Sequence, residues 1–160
     1  MFTVRIQRED FDAAAEAAAL AQGRTDIGAL VSFAGLCRAD PAEEGGQLLA
    51  LTLEHYPGMA EEEIERHLAQ ARARWPLAGA TIIHRHGRIT PGENIVLVVT
   101  ASAHRAAAFA AAEFLMDWLK TSAPFWKREE REAGPHRWVE AKAADDAAAE
   151  RWRPDASDTP

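Results

Sequence analysis

The sequence predicts an α+β fold, in which helices pack on a mixed sheet, from three observations. Residues 94–102 (NIVLVVTAS) form a continuous apolar run, which is typical of a strand covered on both faces. Residues 103–120 follow as an alanine-rich helix that must end before Pro124, because the residue before a proline disfavours helical backbone angles. The chain of 160 residues is long enough to bury a core, and we predict one domain over residues 1–152.

The N-terminal part is predicted to contain two strands around one helix. Residues 2–7 (FTVRIQ) alternate apolar and polar side chains, which indicates a strand. Asp10 or Asp12 can cap the alanine-rich helix that runs to about Gln22, since a carboxylate accepts hydrogen bonds from the first N–H groups of a helix. A mostly apolar strand then covers residues 26–36, and a flexible loop covers residues 39–47.

The middle of the chain is predicted to form a strand, a long helix and another strand. The helix covers residues 59–75, after a turn at Pro57 and Gly58, and it is stopped by Pro76. The strand before it is residues 48–56, with Leu49, Leu51, Leu53 and His55 on one face, and the strand after it is residues 80–89, followed by a turn at 90–93.

The C-terminal part is predicted to form a hairpin. Residues 126–132 and 136–142 flank a turn at residues 133–135. A turn or short helix follows over residues 143–152, and we expect the tail, residues 153–160, to be disordered. Strands and helices in this order give a mixed sheet of the α+β class.

Composition limits the classes of function. The net charge of -7 argues against nucleic acid as the main partner, because phosphate backbones bind basic surfaces. No apolar run approaches the ~20 residues that span a bilayer, and the N-terminus lacks the layout of a secretion signal, so we expect a cytoplasmic protein. A single cysteine, Cys37, excludes an internal disulfide and a CxxC pair.

Lysine is rare in this chain and is concentrated at one place. Of the 18 basic residues only three are lysines, and two of them, Lys120 and Lys127, lie in the run KTSAPFWK. Arginine is a permanently charged planar fork, whereas lysine can lose its proton and act as a base or nucleophile. If arginine has replaced lysine wherever only the charge matters, a remaining lysine indicates a position where arginine does not serve. A helix-end lysine and a strand lysine on the surface would give the same pattern.

Two further segments could bind an anion. Arg38 ends the strand over residues 26–36, and His104 and Arg105 follow a buried strand at a helix start, where Ser102 or a neighbour would be the N-cap. Free N–H groups and the helix dipole favour an anion there, and a phosphate would offset the unfavourable position of an arginine in the first turn. The alternative for each is an ordinary surface side chain.

The remaining polar motifs favour structural roles. His84 and His86 share one face of the predicted strand, but they lack a third ligand at a fixed spacing and are a weak metal signal. Glu54 and His55 could exchange protons, although a structural turn explains them as well. Cys37 is expected to be a buried small apolar residue rather than a reactive thiol.

Several long runs of this sequence carry a resemblance to a known family. They are LTLEHYPGM (51–59), RWP (74–76), IIHRHGRI with the following PGE (82–93), TASAHR (100–105), MDWLKTSAPFWKRE (116–129) and RWVEA (137–141). Together they resemble the MoaE family, the large catalytic subunits of molybdopterin synthase, over roughly residues 26–152.

The resemblance implies a sulfurtransferase of molybdenum-cofactor biosynthesis. Such an enzyme converts a cyclic pyranopterin monophosphate into molybdopterin by inserting two sulfurs as a dithiolene. The sulfur arrives as a thiocarboxylate on the Gly-Gly C-terminus of a small ubiquitin-like subunit, and no metal or organic cofactor is required. The implied fold is an α/β hammerhead with a small antiparallel β subdomain, and the implied assembly is a homodimer of large subunits within a heterotetramer.

The resemblance also implies a set of site residues. Lys120 would lie beside the thiocarboxylate as acid-base or electrostatic partner, and Lys127 would add a second cation that positions the substrate and favours a neutral Lys120. The implied substrate-binding residues are Leu36, Cys37, Arg38, His104, Arg105, Lys120, Lys127, Arg128, Glu129 and Lys142. Leu36 and Cys37 stand where the family pattern has Lys-Val, and Lys142 stands where it has an arginine.

Two alternatives from other classes stay open at this point. One is a non-catalytic scaffold that docks a ubiquitin-like tail, although it gives no reason for His104 and Arg105 at a helix start. The other is a Schiff-base enzyme, for which Lys120 near aromatic side chains would suffice. Which lysine transfers a proton, and whether either forms a covalent intermediate, is left open by the sequence.

Overall fold

The computed structural model describes residues 1–39, 46–134, 136–139 and 143–153. Its strands are β1 (Phe2–Gln7), β2 (Ala29–Leu36), β3 (Leu48–His55), β4 (Leu77–Arg85), β5 (Gly87–Ile89), β6 (Asn94–Ser102), β7 (Phe125–Arg131) and β8 (Arg137–Val139). Its helices are α1 (Ala13–Ala21), α2 (Met59–Arg74), α3 (Arg105–Thr121) and α4 (Ala143–Glu150).

The first sheet has the strand order β1-β4-β6-β2 and is mixed, because β1 runs parallel to β4 while the other pairs are antiparallel. The predicted burial of β6 on both faces is confirmed. Val98 packs with α2 and α3 on one face, and Leu97 and Val99 pack with α1 on the other. These two apolar layers hold most of the core.

The second sheet has the order β5-β3-β7-β8 and is antiparallel throughout. The predicted C-terminal hairpin is confirmed as β7 and β8, and the short helix after it as α4. A smaller apolar cluster, which includes Leu51, Leu53 and Ile89, covers one face of this sheet. A mixed sheet with a smaller antiparallel sheet confirms the α+β class.

The helix limits follow from the capping residues. Asp12 is the N-cap of α1, and its carboxylate accepts hydrogen bonds from the N–H groups of Ala14 and Ala15 at 2.9 and 3.0 Å. Helix α2 starts after Gly58, whose N–H donates to the Glu61 carboxylate at 2.8 Å. Both starts agree with the sequence.

The strand predicted over residues 80–89 is wrong as a single element. Strand β4 ends at Arg85 in the first sheet, and β5 starts at Gly87 in the second. Gly87 has a φ of 86°, a conformation that favours glycine and turns the chain from one sheet into the other. His84 and His86 therefore do not share a strand face.

Two smaller predictions also need correction. A β-bulge between Leu48 and Ala50 shifts the register of β3, so Leu49 is 41% exposed while Leu51 and Leu53 are buried. Strand β2 starts at Ala29 rather than at residue 26.

Some predictions fall on residues outside those described. They are most of the loop over 39–47, the tail from residue 154, and Lys142. Among the described residues, none of the helices has the length and apolar character that crossing a membrane would take.

Candidate functional site

A cavity of about 340 Å³ opens where the two sheets meet the C-terminal end of α3. Its apolar walls come from both sheets and from α3, and they include Leu51, Leu53, Val96, Met116, Leu119 and Phe125. Its polar lining residues are His84, Lys120, Thr121, Lys127 and Asp145. Two lysines and one carboxylate thus line the cavity, and the excess of basic side chains suits it to an anion.

Lys120 reaches the cavity from the last turn of α3. The helix is continuous from Arg105 to Thr121, and the N–H of Ser122 closes it by donating to the Trp118 carbonyl at 2.9 Å. Residues 122–124 then lead directly into β7. This short connection returns the chain beside the helix end.

Lys127 reaches the same cavity from β7. Side chains alternate along a strand, so Lys127 shares a face with Phe125, which also lines the cavity. Its cross-strand partners, Leu53 and Val139, line the cavity as well. The structure thus brings together the two lysines that the sequence singled out.

Arg128 and Glu129 are placed differently from Lys127. Arg128 is paired with Trp138 across the hairpin on the opposite face of β7, and its guanidinium carbon lies 5.8 Å from that ring. Glu129 accepts a hydrogen bond from Arg131 at 3.0 Å. Neither residue lines the cavity in this chain, and their assignment to the site stays a prediction.

His84 forms part of the cavity wall, deep between the sheets. The residue is only 7% exposed, and its ring stacks on Phe125 with the centroids 3.9 Å apart and the planes at 16°. Its Nδ1 lies 2.8 Å from the carbonyl oxygen of Arg85. Burial first, and then the charges of His55, Lys120 and His86, lower the pKa of His84 to about 4.

His55 and His86 lie next to this wall. Their rings meet edge to face with centroids 4.6 Å apart, and the Nε2 of His55 lies 3.9 Å from the Glu61 carboxylate. Within the described ranges, no three His, Cys, Asp or Glu side chains are grouped so that they could hold a metal ion. The contacts of His55 and His86 are with each other, with Phe125 and with the Glu61 carboxylate.

The segment at the end of β2 combines a core residue with exposed ones. Cys37 is 2% exposed and packs with Leu48 and Leu51, and its Sγ lies 3.9 Å from the Ile89 carbonyl oxygen. The expected buried cysteine is confirmed, and its side chain belongs to the core. Leu36 and Arg38 are exposed and lie outside the cavity lining.

His104 and Arg105 lie at the opposite end of α3 from Lys120. His104 is the N-cap and Arg105 the first helical residue, and both are exposed. The hydroxyl of Ser102 donates to the Pro76 carbonyl at 2.8 Å, so Ser102 ties the strand end to the loop after α2. At ~1.5 Å per residue, His104 is about 24 Å from Lys120 along the helix. The structure does not bring these residues to the cavity of their own chain.

Sequence reasoning weighed His84 only as a metal ligand and missed its place in the cavity. The signal available in the sequence was that His84 directly follows the apolar residues Ile82 and Ile83 of a strand that enters the core. Met116, one turn before Lys120 on α3, was missed as a wall residue because it looks like any core position of an apolar helix.

Comparisons with known proteins place these observations in a family. The model of the family described as MoaE protein matches residues 6–122. The chain is 67% identical over 152 residues to a molybdopterin synthase catalytic subunit from Mesorhizobium japonicum, covering 94% of this chain and 93% of that protein. It is 62% identical to the protein of the same name from Rhizobium meliloti, over 94% of this chain and 95% of that one. The solved structure of molybdopterin cofactor biosynthesis protein E from Burkholderia multivorans is 49% identical, with a TM-score of 0.79 over 95% of this chain and 97% of that one.

Proposed function

The chain belongs to the MoaE protein family, an enzyme family of molybdenum-cofactor biosynthesis, and from that premise we propose the reaction and its residues. It acts as a molybdopterin synthase catalytic subunit that transfers sulfur to a cyclic pyranopterin monophosphate and forms a dithiolene. The observation that carries this proposal is the convergence of Lys120 and Lys127 on one cavity. Two of the three lysines in the chain thus line a single site.

The sulfur donor is a thiocarboxylate on the C-terminus of a small ubiquitin-like subunit. An extended Gly-Gly tail is narrow enough to enter a cleft between two sheets, and the cationic side chains of Lys120 and Lys127 favour its negative charge. Lys120 would stabilise the charge that develops on the acyl group, or exchange a proton there. Lys127 would orient the substrate and add a second cation.

The substrate phosphate would be bound by Arg38, His104 and Arg105. Since the helix start lies about 24 Å from Lys120 on the same rigid helix, one small substrate cannot touch both ends within one chain. We propose that a second copy of the chain supplies His104 and Arg105 across a two-fold interface. The working assembly is then a homodimer that carries one small subunit at each site, in the cytoplasm.

The direct test is a reaction of the purified chain with thiocarboxylated small subunit and cyclic pyranopterin monophosphate. We expect dithiolene product to appear, with one small-subunit carboxylate released for each sulfur transferred. A chain that binds the small subunit but yields no product would overturn the proposal and support a docking scaffold. Borohydride trapping of a carbonyl substrate on Lys120 would support a Schiff-base enzyme instead.

Lys120→Arg tests the need for a lysine at the helix end. The variant keeps the cation and the helix, so we expect fold and small-subunit binding to be preserved while product formation falls more than about tenfold. A rate above about a tenth of the wild-type rate would contradict a proton-transfer role. Arg88→Lys is the matched control, because Arg88 pairs with Glu130 at 2.9 Å outside the cavity.

A further inference from the structure

The protonation of the His84 ring is fixed by its backbone contact. Its Nδ1 lies 2.8 Å from the carbonyl oxygen of Arg85, and a carbonyl oxygen can only accept a hydrogen bond. Nδ1 therefore carries the proton, and in the neutral ring Nε2 has a free lone pair. The ring orientation is fixed further by the stack on Phe125.

The Nε2 atom of His84 is open to the cavity. Among the described residues, the one fully buried side-chain nitrogen or oxygen without a hydrogen-bond partner is the Nε of Arg5. No described residue forms a hydrogen bond with Nε2 of His84, and this atom is not among the fully buried atoms without a partner, so it keeps some access to solvent. Because His84 is a wall residue of the cavity, that access is through the cavity.

The charges around His84 keep the ring neutral. The groups that face it are His55 on β3, His86 after β4, and Lys120 on α3, and each of them disfavours a positive charge on the ring. At neutral pH His84 is thus a weak base but an available acceptor. Of these groups, Lys120 lines the same cavity as His84 and carries N–H donors on a long flexible side chain.

We propose that His84 is a positioning residue for sulfur transfer: a change of rotamer brings the ammonium group of Lys120, which lines the same cavity without bonding to His84 here, to the neutral Nε2, and Nε2 accepts its hydrogen bond. The long flexible stem of lysine needs such an anchor if its amine is to meet the acyl group in one orientation. An ammonium has three N–H donors, so one bond to His84 leaves two for the thiocarboxylate and the substrate. The role rests on the proposed function, since it acts through Lys120 in that reaction.

Two amide substitutions separate this role from a structural one. In His84→Gln the longer side chain can place an amide oxygen near the position of Nε2, but it loses the bond to Arg85. In His84→Asn the shorter side chain can keep that bond, but it has no acceptor at the cavity. Both variants lose the stack on Phe125, which makes them a matched pair.

We expect His84→Gln to keep kcat within about threefold of wild type and His84→Asn to lower kcat about ten- to a hundredfold, with a smaller change in KM. A purely structural role predicts the opposite order, because Asn keeps the native backbone contact. His84→Asn retaining as much kcat as His84→Gln would overturn the inference.

His67 provides a matched control site. It is also 7% exposed, its ring stacks on Trp118 at 3.6 Å, and its Nδ1 lies 2.9 Å from the Glu63 carbonyl oxygen. It does not line the cavity of Lys120. The same Asn and Gln substitutions at His67 should leave kcat unchanged, and a loss as large as that of His84→Asn would point to general destabilisation.

A second readout does not depend on the reaction. In ¹⁵N-histidine-labelled protein, the Nε2 signal of His84 should shift in Lys120→Met and stay in place in Lys127→Met. Failure of the wild-type chain to form product would refute the proposed function, while a shift in Lys120→Met would still support the contact. An unchanged signal in both lysine variants would overturn the inference by itself.

Discussion

Cys37 shows how one residue limits the route of the sulfur. Its side chain is packed in the core, 2% exposed, beside Leu48 and Leu51. A thiol that relays sulfur must be reached by both donor and acceptor, and burial in apolar surroundings makes a thiol inert. The sulfur must then come from outside the chain, as the proposed small subunit provides.

Cys37→Ala should therefore turn over preformed thiocarboxylate at close to the wild-type rate. Removing one buried sulfur leaves a small cavity, so we expect the free energy of unfolding to fall by about 1 kcal/mol. Product formation and urea unfolding measure the two effects separately. Complete loss of turnover in a folded variant would indicate a persulfide relay on Cys37.

His84 makes the stability of the protein depend on pH. Its pKa falls from 6.5 to about 4 on folding, so the unfolded chain binds a proton more readily than the folded one between these values. The contribution of His84 to the free energy of unfolding is thus fully present above about pH 6.5. It is lost as the pH falls toward 4, and the loss is up to about 3 kcal/mol. Urea unfolding at pH 7 and pH 4.5 measures this loss.

The neutral variant His84→Gln isolates that contribution. Burial also lowers the pKa of His67, which contributes in the same direction and stays in the variant. We therefore expect the dependence on pH to become weaker without vanishing. Equal losses of stability in wild type and variant would show that His84 is not kept neutral in the folded protein.

At the scale of elements, Gly87 determines how the chain passes between the sheets. Its φ of 86° lies in the region that side chains with a Cβ rarely adopt, although a Cβ there would meet nothing closer than 3.8 Å. The constraint is thus in the backbone rather than in crowding. It separates β4 from β5 and so places His84 at the junction of the sheets.

Gly87→Ala should lower the free energy of unfolding by about 1 kcal/mol or more, measured by urea unfolding. Gly87→Asn should lower it less, because asparagine tolerates positive φ better than alanine. Equal effects of the two substitutions would show that crowding, and not the backbone angle, is responsible.

Sequence patterns predicted the elements well where periodicity and capping agree. The Asp12 cap, the end of α2 before Pro76 and the fully buried β6 follow from local chemistry. The division of residues 80–89 was missed because the polar run over residues 84–88 does not by itself end a strand, and only Gly87 marks the break. The bulge in β3 depends on pairing with β7, which no local pattern contains.

At the scale of the whole molecule, the cavity exists only because two sheets and one helix end converge. The sequence identified Lys120 and Lys127 by composition, yet it could not show that they line the same cavity, since that depends on the short connection between α3 and β7. It also could not separate Lys127 from Arg128 until the face of β7 was known. The position of His84 in the cavity wall could not be predicted, because it depends on contacts between distant segments.

The proposed dimer predicts complementation between two inactive variants. Arg105→Ala damages the helix start and Lys120→Ala the helix end, so a mixed dimer would hold one doubly damaged site and one intact site. With random exchange of subunits, half of the dimers are mixed, and activity should return to about a quarter of the wild-type level.

The measurement is product formation after the two variants are mixed and allowed to exchange. Each variant carried through the same exchange alone is the control and should stay inactive. Mixed dimers that form but remain inactive would place the whole site within one chain.

Because lysine is scarce, acylation of amines can be used to detect a molecule bound in the cavity. A reagent that acylates amines finds only three side-chain targets and the N-terminus, and two of the side-chain targets line the cavity. Mass spectrometry of the acylated protein would thus show, for each lysine separately, whether a molecule bound in the cavity protects it from acylation. No engineered label is needed. The background is low because fifteen of the 18 basic residues are arginines, which such a reagent does not acylate.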